Sequence, residues 1–493
     1  MSVADPAAGS ALSARGFLAR HWFALAVGLL LAVAFVLRVW GVRHGMPWAY
    51  NADENAHFVP RAIGMFGHDL NPRYFVNPPA FTYALHIVFA IWFGGREGVS
   101  EAFSTDPEPV WIAARLTAAV LSTAAVGLLV WAGNRLFGRA AGLLAGGLLA
   151  VAFLPVFYSH QALNDAPTLA PVALALAGAA GILRLGSPPA RRDWLIAGAG
   201  LGLACATKYT GGIVLVAILA AFGVRLVDDR AQRSALLRGL GLAGLAAVAG
   251  FLVANPYALL DASTFWEGVT HQSDASGDAA GKLGLTQTNG WLHYAWALTW
   301  GLGWIPLAAA VVGAGALAVR DRPALWLLVP SPVLFIAFMG LQERFFGRWL
   351  MPILPFLCLL GAAGVAWAVQ AVSKRRPDLR WAVAVALGGL MLFQGVLMSV
   401  HVDRVLSRED TRTAAREWLV RNVPAGRKLV VEPFLPGSWA QDIGLPSART
   451  STGDRWLKWP TSRAEVDPDT GERVPGGMVV NVEDYEKTLR PEL

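Results

Sequence analysis

Charge is scarce in this chain. Asp, Glu, Lys and Arg make up 15% of its 493 residues, against roughly 25% in an ordinary soluble domain. A water-soluble globule of this length would need more charge to cover its surface. Cysteine is almost absent. The two present, Cys205 and Cys358, lie inside apolar runs, so a disulfide framework is excluded and both read as small core residues. Glycine, at 52, has no period, which excludes a collagen-like chain. No GxxxxGK[ST], HExxH or GxSxG motif occurs, and no Cys/His group has zinc-finger spacing. His57, His68, His86, His271 and His293 are scattered, and a lone histidine is more often hydrogen-bonded than a ligand.

What is present is apolar. The AVILMFWYC set reaches 55% and the mean hydropathy is +0.46, which excludes disorder and leaves a polytopic membrane protein. The net charge of +7 does not indicate nucleic acid, because Lys and Arg cluster in short segments between apolar runs. A membrane helix needs about 20 mostly apolar residues. Such runs occur at 22–42, 111–133, 140–158, 166–183, 194–207, 210–227, 239–256, 291–317, 324–341, 349–371 and 381–401, eleven in all. With the N-terminus inside, the inner segments hold 17 Lys/Arg and the short outer connections 4, as the positive-inside rule requires. Residues 79–95 are also apolar, but a crossing there would invert every later loop. They are expected to form an interfacial or re-entrant helix within a first outer loop of about 43–110. The N-terminal run is too long for a signal peptide and carries Arg38, so it reads as a retained anchor.

The expected division is a cytoplasmic segment 1–21, a transmembrane domain 22–402 and an extracytoplasmic region 403–493. The last holds 14 Lys/Arg and 15 Asp/Glu. Residues 411–422 have helical spacing, and VPAGRKLVVEPF reads as a turn and a short strand. No internal repeat is evident.

Candidate chemistry begins in the first outer loop. Asp53, His57 and Arg61 stand at i, i+4 and i+8, on one face of a helix. Asn51 and Glu54 have capping-box spacing, which accounts for Glu54 and leaves Asp53 unexplained unless it is itself an N-cap. Asp165, in YSHQALNDAPTLAP, suits a helix start. Paired with Asp53 on one side of the membrane, it reads instead as functional, since acids near hydrocarbon are costly and face cavities. Lys208 and Tyr209 separate two spans, Arg115 lies near a span end, and Arg344 and Arg348 follow Glu343 in QERFFGRWLMPILP. Each cation alone is most often a snorkelling charge. Together, opposite two acids, they form what a phosphate leaving group needs. Trp40, Trp48, Trp291 and Trp349 fit an aromatic belt at span ends.

These segments resemble a known family. The acidic pair after span one, the Asn77-Pro78-Pro79 segment leading into an interfacial helix, the Arg115 span, ND-AP at 164–167, ATKYTG at 206–211 and GRWLMPILPF at 347–356 are similar to the protein O-mannosyltransferase and aminoarabinose transferase group. The likeness runs in order through about residues 20–400. The resemblance implies an integral-membrane GT-C bundle that moves a sugar from a polyprenyl-phosphate donor to an acceptor glycan, lipid or protein outside the cytoplasm. It implies Asp53 as general base, with Glu54 and Asp165 as further acids. It places the lipid phosphate among Lys208, Arg344 and Arg348; Tyr209 and Arg115 are further phosphate candidates by position, and His57, Arg61, Asn77 and Glu343 are candidates for the substrate. No cofactor is required on this reading, although two acids are able to bind a divalent ion. Asn77 stands where protein mannosyltransferases tend to have His, which counts against a protein acceptor. The competing class is a lipid or glycolipid transporter, against which the long first outer loop and the missing inverted repeat argue.

Overall fold

The computed structural model describes residues 6–184, 188–277, 289–429, 436, 439 and 455–458. The described residues are almost entirely helical. Helix α1 (Pro6–Val39) leads to a turn segment and a single π turn at Glu54–Phe58. Then come α2 (Val59–Gly64), α3 (Ala80–Trp92), α4 (Arg96–Thr105), α5 (Glu108–Phe137), α6 (Arg139–Val151), α7 (Phe153–Ser159) and α8 (Leu169–Leu183). They are followed by α9 (Arg191–Thr207), α10 (Val214–Asp228), α11 (Arg233–Ala254), α12 (Tyr257–Leu260), α13 (Ala262–Gly277), α14 (Gly290–Leu298), α15 (Trp304–Arg320), α16 (Arg322–Leu328) and α17 (Pro330–Met339). The last are α18 (Leu354–Arg375), α19 (Arg380–Leu406) and α20 (Thr411–Asn422). A two-residue strand β1 (Lys428–Leu429) pairs in parallel with β2 (Leu457–Lys458).

Among the described residues eight helices are long and apolar enough to cross a membrane, nine if the bent pair α6–α7 is counted as one span. The chain is thus a multi-pass membrane protein. The expected eleven is reached only by adding α8 and α9, of 15 and 17 residues, both short against the roughly 20 residues needed to cross. The segment 79–95 folds as α3, whose 13 residues are also too few to cross. It packs against α2 and α5 through Phe81, Leu85 and Phe89, which are buried with Phe58, Ala62, Trp111 and Ala114. This second core folds the segment after α1 into a packed cap on the bundle. Helix α1 begins at Pro6, ahead of the apolar span Arg20–Val39, and α19 runs on to Leu406.

The main core lies where α5, α6, α8 and α18 meet. Small residues set its spacing. At Gly198 and Gly202 of α9 a Cβ would collide with the backbone of α11 at Ala243 and Ala247, so glycine is what allows the two helices to touch. The bend of 53° between α6 and α7 has a local cause. Pro155 has no N–H to offer the carbonyl of Val151, four residues back. The carbonyls this end of α6 leaves open are taken by side chains from outside. Ser399 Oγ donates to Val151 O at 2.9 Å, and Arg38 donates to Ala150 O at 2.9 Å and Leu149 O at 3.0 Å. That accounts for a fully buried arginine in an apolar helix, since unmet carbonyls in hydrocarbon cost several kcal/mol each. Asp403 of α19, fully buried, stands 3.5 Å from His160 Nε2.

The described part of the C-terminal region docks on the segment that follows α1. Trp439 and Trp456 are buried with Trp48 and Tyr50. The guanidinium of Arg412 lies 4.0 Å over the Tyr50 ring, and that of Arg416 lies 4.6 Å over Trp48.

Candidate active site

Three loops converge at one end of the bundle, and side chains staple them together. Asn51 Nδ2 donates to Gln161 Oε1 at 2.8 Å, and Asn164 Nδ2 donates to the carbonyl of Thr207 at 2.8 Å. The first staple joins the start of the outer loop to the α7–α8 connection. The second joins that connection to the break between α9 and the short 3-10 turn Tyr209–Ile213, where Lys208 is extended. A fourth segment, after α17, supplies Arg344 and Arg348.

The charged groups form a chain. Lys208 Nζ donates to Asp165 Oδ1 at 2.6 Å. The other oxygen of Asp165 is 3.8 Å from Arg348 Nε. A terminal nitrogen of Arg348 donates to Asp53 Oδ2 at 2.6 Å, and the remaining Asp53 oxygen is 3.7 Å from His57 Nε2. Two carboxylates and two strong cations therefore alternate, which lets four charges share a partly buried space. The acids differ in access: the side chain of Asp53 is 35% exposed and that of Asp165 only 4%. Asp165 is enclosed between its cations. Asp53 presents an oxygen to the cavity.

That cavity has a volume of about 310 Å³ and is lined by Asp53, His57, Asn77, Asp165, Lys208, Arg344 and Arg348, with Tyr74, His271 and Trp349. Beside it runs an apolar groove of about 260 Å³, between Phe338 and Met339 on one side and Val269 of α13 on another. Cavity and groove share Val76, Asn77, Lys208, Gln272 and Trp349 as walls. Tyr209 lines the groove, where its hydroxyl donates to the carbonyl of Phe75 at 2.8 Å.

Not every candidate residue faces this space. Asn51 does cap the first turn, through Oδ1 to the N–H of both Asp53 and Glu54. Glu54 does not return the bond. It is fully buried, pairs with both arms of Arg115 at 2.7 and 2.9 Å, and accepts the N–H of Ala162. The capping-box reading of Glu54 is therefore corrected. Arg115 also donates to the carbonyls of Val42 and His44, so four of its five N–H groups are engaged, and it lies outside the cavity walls. The N-cap readings of Asp53 and Asp165 fail too: Asp53 makes no capping bond, and the Asp165 side chain turns to Lys208. Glu343 is not among the cavity walls. Arg61 is turned aside, with its guanidinium 3.9 Å over the Tyr74 ring.

Tyr74 was not singled out by the sequence pattern. Its ring stacks on His57, centroids 5.1 Å apart and planes 9° from parallel, and its hydroxyl accepts from Asn77 Nδ2 at 3.0 Å. With the Arg61 guanidinium also packed on its ring, the tyrosine is a brace that holds His57 beside Asp53. Burial lowers the His57 imidazole below its ordinary value, only partly opposed by Asp53, and raises the Tyr74 phenol to about 12. His271 and Gln272 reach the cavity from α13. No local spacing could have placed them there, because α13 comes from a separate connection. Among the described residues no group of three His, Cys, Asp or Glu is arranged to hold a metal ion.

A helical membrane bundle capped by the folded segment after its first helix, with its charged cavity under that cap, is the GT-C architecture. Residues 109–257 match the sequence model of the dolichyl-phosphate-mannose-protein mannosyltransferase family. Among solved structures, the chain is similar to ArnT from Cupriavidus metallidurans, in the apo state and bound to undecaprenyl phosphate. In both comparisons the identity is 16% and the TM-score 0.55, over 85% of this chain and 84% of that one. It is also similar to the archaeal oligosaccharyltransferase AglB from Archaeoglobus fulgidus, in complex with an inhibitory peptide and a dolichol-phosphate. There the identity is 13% and the TM-score 0.50, over 83% of this chain and 59% of that one. No curated protein sequence matches the chain.

Proposed function

We propose that this protein is an inverting glycosyltransferase that moves a sugar from a polyprenyl-phosphate donor to an acceptor hydroxyl on the extracytoplasmic side of the membrane. One observation carries the reading: a cavity of alternating acids and cations opens into an apolar groove, and Lys208 stands in the wall of both. A ligand that fits must carry an anion at one end and a hydrocarbon chain at the other. A polyprenyl phosphate has that form. The match of residues 109–257 to a dolichyl-phosphate-mannose-protein mannosyltransferase family supports the same reading, as does ArnT, whose solved structure holds undecaprenyl phosphate.

In the reaction the acceptor oxygen forms a bond to the anomeric carbon as the bond from that carbon to the phosphate oxygen breaks. The electron pair leaves with the phosphate. The hydroxyl proton passes to Asp53, the more accessible acid. Lys208 and Arg348, with Arg344 in the same wall, balance the negative charge that grows on the phosphate. Asp165, held between Lys208 and Arg348, fixes both cations in place. One displacement from the face opposite the phosphate inverts the anomeric centre and needs one base. Glu54 and Arg115 belong to the frame of the site on this reading, and Asn77 and His57 border the sugar.

Sidedness follows from the charge bias of the loops, with the N-terminus cytoplasmic and the cavity outside. The decisive experiment is transfer of radiolabelled sugar from a synthetic polyprenyl-phosphate donor by the purified protein in vesicles. Turnover that depends on Asp53 supports the proposal; binding of the donor without transfer to any supplied glycan, lipid or peptide acceptor counts against it.

A further inference from the structure

A cleft separate from the active site lies at the other end of the bundle. Helix α10 begins beside the Lys208 segment and runs 15 residues to Asp228, a rise of about 22 Å. Its far end faces the start of α16. Between them is a cleft of about 570 Å³, walled by Ala220, Gly223, Val224 and Val227 on one side and Pro323 and Trp326 on the other, with Asp228 and Arg322 at its edge. Val227 is 73% and Trp326 58% exposed. In a protein that crosses a membrane, such apolar surface is covered by lipid, and Trp is characteristic of the level where lipid headgroups begin.

Three of the neighbouring charges are already engaged. Arg320 lies over the Trp367 ring, Asp321 caps α16 by accepting the N–H of Ala324, and Arg225 donates to the carbonyl of Arg184. Arg322 makes one long contact of 3.4 Å, with the carbonyl of Ala318. Asp228 makes no side-chain hydrogen bond or ion pair with a described residue. An anion and a cation, separate from each other and little used, thus stand at the mouth of an apolar cleft.

We propose that this cleft binds a phospholipid whose headgroup carries both a phosphate and a primary ammonium, that is, phosphatidylethanolamine. Its phosphate meets the Arg322 guanidinium, its ammonium donates to the Asp228 carboxylate, and an acyl chain lies along Gly223 and Val227 against Trp326. Phosphatidylcholine offers the same charges but no N–H to donate. Phosphatidylglycerol has no cation for Asp228 and brings an uncompensated anion beside it. Gly223 leaves the room this requires, since a Cβ added there meets nothing within 4 Å. The proposal is independent of the reaction at the other end of the molecule.

Native mass spectrometry of the purified, delipidated full chain tests it, with phosphatidylethanolamine, phosphatidylcholine and phosphatidylglycerol of identical acyl chains as probes. Exposed ion pairs are worth at most about 1 kcal/mol, so phosphatidylethanolamine should be retained roughly two- to fivefold over either competitor. Asp228→Asn should reduce its retention to that of phosphatidylcholine. Arg322→Gln should weaken all three lipids, and Gly223→Leu, which fills the cleft and leaves both charges in place, should do the same. Asp228 and Arg322 are exposed, and all three variants are expected to keep the thermal midpoint of the parent chain. Equal retention of the three lipids by the parent chain, or an undiminished preference in Asp228→Asn, would overturn the proposal.

Discussion

Arg348 donates to Asp53 across 295 positions of sequence, at 2.6 Å, while its Nε stands 3.8 Å from Asp165. One guanidinium thus joins the two acids of the cavity. On the proposed reaction it has a second duty, because the donor phosphate must find a cation there. A planar fork with five N–H groups is able to serve both acid and phosphate, which a lysine ammonium does less well.

Replacing Arg348 by alanine should therefore lower affinity for a polyprenyl phosphate roughly ten- to a hundredfold, the worth of a charge-assisted contact of about 1.5–3 kcal/mol. Lys208→Ala should act similarly and additionally release Asp165. Titration of purified variants with undecaprenyl phosphate, followed by intrinsic tryptophan fluorescence, reads the loss. Unchanged affinity in both variants would remove the phosphate from this cavity.

Asp53→Asn should abolish transfer and spare donor binding. Asparagine keeps the shape, and the turn it sits on is capped by Asn51, so the fold has no reason to change. It accepts no proton at neutral pH, and loss of a general base costs about 100- to 10,000-fold in rate. Single-turnover transfer measured beside donor affinity separates the two effects. A rate within a few-fold of the parent would show that Asp53 is not the base.

Glu54→Gln and Arg115→Met should fail for a different reason. Both partners are buried and joined by two hydrogen bonds, and removing one leaves the other charged and unmatched at a cost of about 3–5 kcal/mol. Thermal midpoints should drop in both variants, and whatever folded protein remains should keep its donor affinity. A Glu54→Gln variant of parental stability that had lost only turnover would assign the base to Glu54 instead.

His57 predicts a dependence on acid. Its folded-state pKa is depressed by burial below the ordinary value, so the fold favours the neutral ring. The stability this contributes is present above about pH 6.5 and is lost as the pH falls through the depressed value. Thermal midpoints measured from neutral pH downward should decline less steeply in His57→Gln than in the parent. Identical slopes would mean that the ring by Asp53 is not held neutral.

Much of the site was legible because its residues are expensive where they stand. Asp53, Asp165, Lys208 and Arg348 are charges next to long apolar runs, and such charges need partners. Their pairing was not legible, because the loops that carry them are joined by helices whose crossing order no local pattern encodes. Glu54 and Arg115 show the limit. Beside Asn51 the glutamate has good capping spacing, yet an arginine 61 residues on offers a bidentate partner in a dry interior, and that interaction wins. Tyr74 and His271 carried no signal because a lone aromatic or histidine in a connection is ordinary.

By itself the sequence determined that this chain is a multi-pass membrane protein, where most of its apolar spans lie, and that 79–95 is apolar yet set apart from them. Composition and the period of apolar residues suffice for that, since lipid rejects charge whatever the fold. Only the tertiary structure decided which acid meets which cation, that Asp53 opens to the cavity while Asp165 is enclosed, and that Arg38 serves the carbonyls left by the bend at Pro155. Those outcomes depend on distances of a few ångströms between helices. Helix packing sets such distances through small contacts such as Gly198 against Ala243, and no stretch of the chain contains both sides of them.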